Sequence, residues 1–442
     1  MTYTVSVIVL ALIFTVATIT PINMGILAFA GAFLVGGWVS GIPLDDIVGA
    51  FPADIFLIVG GITLLFAIAK GNGTIDIVIE SALTLVRGRR WAIVVMMFLL
   101  SGLMMALGSV MAAGMLAPIA MPLAAEKKIN PLLMGMAVNH GALSCAFSPI
   151  TIYGAFVNGT MDSVGLQSHP LVLFLVPFSL NLLFFLILFA AKGRDLFREL
   201  PAHDASEVAL GGGAETHGTT RPTEGAATTA TAAPSVALAT RTPLTRMRVA
   251  TLAGIVALLL GSVFFRVDVG VMSVAISAVL LLLSPKAQPK IVDKIAWPAV
   301  VLVCGMLTYM TVLKQNGTLD FLGEAAAALG SPLATALILC YAVGVISAFG
   351  SSIGTLGITL PLAVPMLAAG ELGALGFVVA IAFSATVVDV SPFATNGSIV
   401  VAEAEVPDRN RFQRIMLAYC GYIVLTAPLV AWALIIVPTT IF

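Results

Sequence analysis

Long stretches of this chain carry no charged residue. None occurs in 1–44, 91–125, 163–191, 325–370 or 415–442. Each exceeds the roughly 20 apolar residues that a bilayer-spanning helix needs. Only helices and closed barrels satisfy their backbone in lipid, and these runs lack the alternation of barrel strands. The pattern predicts an all-α integral membrane protein. Apolar spans fall at about 4–19, 23–40 and 54–70, followed by an amphipathic piece at 72–86 and the charge-free run 91–125. Spans at about 131–160 and 170–191 complete the first half. The order then recurs at about 249–265, 269–284, 297–313, 325–370, 373–402 and 415–438.

The recurrence holds residue by residue. Gly61 to Asp76, containing Lys70, Asn72, Gly73 and Thr74, aligns with Gly305 to Asp320, containing Lys314, Asn316, Gly317 and Thr318. Gly108 and Ser109 align with Gly350 and Ser351, and Ser148, Pro149 and Gly154 with Ser391, Pro392 and Gly397. The run 91–125 is broken at Gly108–Ser109. Its two arms are each about 16 residues, or about 24 Å at helical rise, short of a full crossing of about 30 Å. A re-entrant hairpin fits, and so do two short crossings. Five crossings plus a hairpin make an odd count per half, so the second half must be inserted upside down. The predicted architecture is two inverted-topology repeats, 1–191 and 248–442, each with a re-entrant hairpin and a broken helix. The segment between them, 192–247, is rich in Ala, Thr and Gly at its centre and predicts a disordered linker.

Charge then orients the chain. With the linker in the cytoplasm, every one of the 21 Lys and Arg residues except Arg266 and Lys314 lies inside, and both termini lie outside. Lys70 and Lys314 occupy matched positions and land on opposite faces. Hydrophobic residues make up 60% of the chain and charged residues 10%, too little polar material to cover a soluble fold. The four cysteines, Cys145, Cys304, Cys340 and Cys420, all fall in apolar runs without metal-ligand spacing. No phosphate-binding loop and no H-E-x-x-H motif is present, so neither ATP-driven transport within this chain nor zinc-protease chemistry is supported. Nothing points to nucleic acid or to an enzyme.

Inverted repeats with broken helices are the plan of secondary transporters, which bind substrate and ions near the midplane. The four interruptions supply the candidate site: the tips at Gly108–Ser109 and at Gly350, Ser351, Ser352 through Thr355, and the breaks at Ser148–Pro149 and Ser391–Pro392. Helix starts there offer N–H groups to an anion, while freed carbonyls and hydroxyls suit a hard cation. One carboxylate, Asp389, falls in the membrane core, where Ala146 stands in the other half. Cation binding is expected from Gly108, Ser109, Ser148, Gly350, Ser351, Asp389 and Ser391. Substrate binding is expected from Ser109, Asn139, His140, Ser148, Ser351, Ser352, Thr395 and Asn396. For His140 the competing reading is an interhelical hydrogen bond. Hydroxyls and carbonyls around one acid favour sodium over a proton as the coupling ion, and no other cofactor is expected.

The run Thr20, Pro21, Ile22, Asn23, Met24, Gly25, with 27–33, Phe51-Pro52, 72–76 and 147–154, resembles the N-terminal domain of the malonate (dicarboxylate) carriers called MatC, most strongly over about 15–160. The wider plan is similar to the divalent anion:sodium symporters of the ion transporter superfamily. In that group a Ser-Asn-Thr at each hairpin tip binds carboxylate and sodium; here neither tip contains the Asn. The resemblance implies uptake of a small dicarboxylate, malonate first, with a cation. It also implies a homodimer in a bacterial inner membrane and an elevator-like moving domain. A cation/proton antiporter, or a carrier of citrate or a C4-dicarboxylate, is the alternative on the same architecture.

Overall fold

The computed structural model describes residues 2–20, 22–86, 89–109, 111–197, 244–264, 267–284, 290–319, 321, 331–368 and 373–441. Most of the expected linker, 198–243, lies outside them, as does the second amphipathic piece beyond Phe321. Every described element is helical. The first half contains α1 (Thr2–Ile19), α2 (Met24–Phe33, continued by a π turn, Leu34–Val39), α3 (Leu44–Gly49), α4 (Ala53–Gly71), α5 (Thr74–Leu85), α6 (Arg90–Ala106), α7 (Ala112–Glu126), α8 (Pro131–Ser144), α9 (Ile152–Ser163) and α10 (Pro170–Lys192). The second half contains α11 (Arg246–Phe264), α12 (Val269–Leu283), α13 (Trp297–Gln315), α14 (Pro332–Ala348), α15 (Ser352–Ala368), α16 (Ala374–Val387), α17 (Thr395–Ala402) and α18 (Arg409–Ala431). Five stretches are long and apolar enough to cross a membrane: Leu44–Gly71, Pro170–Lys192, Trp297–Gln315, Ala374–Ala402 and Arg409–Thr440. With the shorter apolar helices beside them, the chain is a multi-pass membrane protein.

Matched positions in the two halves adopt matched local geometry. Asn72 Oδ1 accepts from Thr74 N at 3.0 Å and from Thr74 Oγ1 at 2.5 Å, and Gly73 takes φ +76°. Asn316 does the same with Thr318, at 3.0 and 2.6 Å, with Gly317 at φ +74°. Only glycine adopts that φ without strain. The two asparagines then reach across halves. Asn72 Nδ2 donates to Thr251 Oγ1 at 2.8 Å on α11; Asn316 Nδ2 donates to Ser6 Oγ at 3.1 Å on α1.

The core is crossed in the same reciprocal way. α4 packs on α12, where a Cβ on Gly61 would collide with Ser273 and one on Gly270 with the Leu57–Ile58 backbone. α13 packs on α2, where Gly25 and Gly305 bring the two backbones together. Small residues are what let membrane helices approach this closely. Each of these helices therefore buries a face against the other half.

The run 91–125 forms two helices, α6 and α7, that leave and return to one place. Arg90 at the start of α6 donates Nε to Lys127 O at 2.9 Å and Nη2 to Lys128 O, closing the carboxyl end of α7. Its Nη1 reaches Asp195 O at 3.1 Å. That residue belongs to a short 3-10 turn, Arg194–Phe197, at the start of the expected linker. Phe197 stacks on Trp91 with centroids 6.1 Å apart, and Leu196 is buried. Here the margin of the linker is built into the base of the first hairpin.

Candidate functional site

Each half interrupts one helix near its middle. After α8 the chain leaves helical geometry over 145–151. Thr151 then restarts it, its Oγ1 accepting from Gly154 N at 3.1 Å as an N-cap. After α16 comes a single 3-10 turn, Val388–Val390, and then α17. Gly154 and Gly397 each lie hard against the carbonyl of Ser148 and Ser391, where any Cβ would collide. The restarting helix therefore folds tightly back over its own break in both halves.

The predicted site residues separate into two groups and one outlier. In the first half, Gly108 closes α6 with φ +99°, pressed against Ile62 and facing Ile150 O. Ser109 beside it is buried. Ser148 Oγ donates to Ala106 O at 3.0 Å, which ties the first break to the first tip. In the second half, Gly350 N donates to Ser347 O at 3.2 Å in the turn between α14 and α15. Ser351 has its side chain exposed, while its carbonyl accepts from Thr355 N at 2.8 Å. Thr355, expected at the tip, already lies within α15. Ser391 Oγ accepts from Phe393 N at 3.2 Å and so shapes the break itself.

Around Asp389 the second group closes up. Asp389 Oδ2 accepts from Asn396 Nδ2 at 2.9 Å. The Ser352 hydroxyl and the backbone N–H groups of Thr395 and Asn396 also lie close to the carboxylate, whose Oδ1 is buried without a hydrogen bond. Ser352 is buried and lies 3.3 Å from Ser347 Oγ, which donates to Ala385 O at 2.5 Å. The second tip and the second break are thereby joined around one acid. Among the described residues, no Lys or Arg is buried. No cluster of three or more His, Cys, Asp and Glu occurs among them either, so a transition-metal site lacks ligands. Hydroxyl, carbonyl and carboxylate oxygens suit a hard cation instead.

Asn139 lies on α8, which packs against this group from the other half. α8 packs on both the 388–390 turn and α17, with Gly135 against Val400. α8 runs into its break and α17 runs out of the other. One turn nearer the breaks, Asn139 therefore follows Gly135 on one helix as Asn396 precedes Val400 on the other. Asn139 is fully buried, and neither its Oδ1 nor its Nδ2 has a partner.

His140 is the outlier. Its Nδ1 lies 3.0 Å from Asn181 Oδ1 on α10 and its Nε2 lies 2.7 Å from Tyr419 OH on α18. Asn181 Nδ2 donates to Pro177 O at 3.0 Å, so its Oδ1 is the acceptor. His140 must then donate from Nδ1 and accept from Tyr419 at Nε2. Both ring nitrogens are occupied in a bracket joining three helices, with no exposed surface.

Sequence reasoning did not single out Asn181, Tyr419, Ser347 or Tyr153. Asn181 could have been found as a buried-looking amide within the charge-free run of α10. Tyr153, buried just after the first break where Asn396 stands after the second, has its hydroxyl within electrostatic reach of Asp389. An apolar cavity of about 330 Å3 lies between α1 and α14–α15, lined by residues such as Leu10, Phe14 and Val343 with no polar surface, and it is not an anion site.

Residues 1–146 match the family described as dicarboxylate carrier protein MatC N-terminus, and residues 265–438 match the citrate transporter family. Both matched families are carriers of organic anions by their descriptions, and together they support a secondary transporter of organic anions. The match to MatC covers nearly the stretch in which the sequence resembled it, and both families are carriers rather than enzymes. No curated protein is significantly similar to the chain in sequence. Among solved structures, Neisseria gonorrhoeae MtrF, presented as illuminating a class of antimetabolite efflux pumps, is similar in fold. It has a TM-score of 0.55 at 12% identity, over 98% of this chain and 94% of that one.

Proposed function

We propose that this carrier imports a small dicarboxylate, malonate first, by symport with a cation, sodium in preference to a proton. The observation that carries the reading is Asp389, an acid in the membrane core with one unsatisfied oxygen and no buried cationic side chain beside it among the described residues. An ionised carboxylate in that setting is strongly disfavoured unless a cation or a proton meets it. With a cation there, the cluster becomes a positive site for an organic anion, assisted by the helix start at α17.

In this reading the halves, 1–191 and 248–442, are inverted-topology repeats joined by a cytoplasmic linker, 192–247, in a bacterial inner membrane with both termini outside. Asn72 with Thr251, and Asn316 with Ser6, are their reciprocal ties on opposite faces. The crossed helices α2, α4, α12 and α13 form a fixed scaffold in a homodimer. The hairpins and broken helices move against it as an elevator. Cation contacts are assigned to Gly108, Ser109, Ser148, Gly350, Ser351, Asp389 and Ser391. Substrate contacts are assigned to the same hydroxyls with Asn139, Ser352, Thr395 and Asn396. His140 holds the moving helices together.

A tricarboxylate such as citrate is the second reading, favoured by the citrate-transporter match over the half that contains Asp389. A thermal-shift screen of malonate, succinate and citrate, with and without sodium, separates the two. Malonate is expected to stabilise the protein most, and only with sodium. A larger shift with citrate would give the second reading precedence.

A further inference from the structure

We infer that Asn139 is the residue through which the cation and the substrate feel one another: its carboxamide oxygen completes the cation site at Asp389, and its amide nitrogen holds a carboxylate of the substrate. The inference rests on the cation-coupled reading above and adds the identity of the coupling group.

Three observations lead to it. Asn139 is fully buried, yet both polar atoms of its side chain lack partners. Such a group has a substantial desolvation cost with no hydrogen bond to offset it. Since both atoms are unpartnered, exchanging the assignment of oxygen and nitrogen changes nothing. Second, α8 packs on the 388–390 turn and on α17, with Gly135 against Val400, and this register places Asn139 one helical turn nearer both breaks, at the level of Asn396. Third, Asp389 Oδ1 is an unsatisfied acceptor on that facing element, and the Asn139 donor does not fill it. A donor and an acceptor left unbonded on two elements in contact are groups that one bound ligand can satisfy together.

The chemistry of a carboxamide then decides what bridges it. Asn139 Oδ1 and Asp389 Oδ1 are two hard oxygens, suited to a cation with one negative charge between them. The Asn139 N–H groups remain as donors for a carboxylate. A cation on the oxygen fixes the plane of the amide and so fixes where those donors point. The substrate carboxylate gains both the donors and the cation's charge, while the cation gains a counter-charge. His140, the next residue, cannot serve, because both its nitrogens are taken by Asn181 and Tyr419. The equivalent position in the second half is Ala382, so the device exists once per chain.

The test is a binding cycle on the full-length protein in lipid nanodiscs, with sodium and malonate as probes. Malonate affinity is measured by calorimetry with and without saturating sodium for the parent, Asn139→Ala and Asn139→Leu. Sodium is expected to tighten malonate binding by about fivefold or more in the parent, and by less than about twofold in both variants. Sodium alone should still shift the melting temperature of the variants, because Asp389 remains. The ligand-free Asn139→Leu variant, which keeps the side-chain volume, should melt no lower than the parent, since no hydrogen bond is lost. Malonate affinity that falls while the sodium effect stays at the parent's ratio would make Asn139 a plain substrate contact and overturn the inference. A drop in the melting temperature of ligand-free Asn139→Leu as large as that of Asn139→Ala would make it a structural amide and overturn the inference equally. If sodium has no effect on malonate binding in the parent itself, the symport reading fails, and the inference fails with it.

Discussion

At the core of the second half, Asp389 has one oxygen held by Asn396 and one held by nothing, while His140 has both nitrogens held. Those two residues are the acid and the histidine that sequence pattern singles out within the membrane, and the structure gives them opposite characters. The difference was not legible in the sequence. Both are single polar residues in apolar helices, and which way each side chain turns depends on partners far along the chain, Tyr419 in the case of His140. The bracket reading yields a prediction. His140→Ala leaves the Tyr419 hydroxyl and the Asn181 oxygen buried and unpaired, a destabilisation of about 2–5 kcal/mol. His140→Gln, which can still donate toward Asn181, should recover part of the lost melting temperature. In binding assays, malonate affinity should stay within about twofold in the Gln variant, because the ring does not touch substrate.

The helices carry a plainer message. Ser-Pro pairs mark both breaks in the sequence, and the structure interrupts α8–α9 and α16–α17 there because Pro cannot donate to the ladder and Gly154 and Gly397 admit the tight return. Hairpin ends were less legible. Gly108 takes a left-handed turn while its counterpart Gly350 does not: Gly108 is pressed against Ile62 of α4, whereas Gly350 meets no side chain. The closure of the first hairpin by Arg90 was also hidden, because an arginine beside a membrane helix reads as a topology anchor. Three carbonyls depend on that guanidinium, two from the end of α7 and one from Asp195. Arg90→Ala is expected to cost about 2–4 kcal/mol of stability, and Arg90→Lys most of that, because one ammonium cannot span the fork. Limited proteolysis should report it as faster cleavage near 195. Cleavage unchanged in both variants would mean the turn at Arg194–Phe197 does not depend on this contact.

The whole molecule is organised by reciprocity: α4 on α12, α2 on α13, Asn72 on Thr251, Asn316 on Ser6. Much of this was foreshadowed by the matched glycines and asparagines, because a backbone that approaches another so closely leaves room for little else. What no pattern within one half could show is that each half seats its third apolar span on the second span of the other. If the halves are inverted, Lys70 and Lys314 face opposite solutions. Lys70→Cys should react with a membrane-impermeant maleimide only in inside-out vesicles, and Lys314→Cys only in right-side-out cells. Labelling of both from one side would mean the halves run parallel. The apolar cavity between α1 and α14–α15 leaves that contact loosely packed. The central claim, however, is cation-coupled uptake of a small dicarboxylate around Asp389, and purified protein in liposomes addresses it most directly. An inward sodium gradient should drive accumulation of labelled malonate above equilibrium, and Asp389→Asn should reduce that sodium-driven accumulation by about tenfold or more. Accumulation indifferent to both sodium and proton gradients, or unchanged in Asp389→Asn, would contradict it.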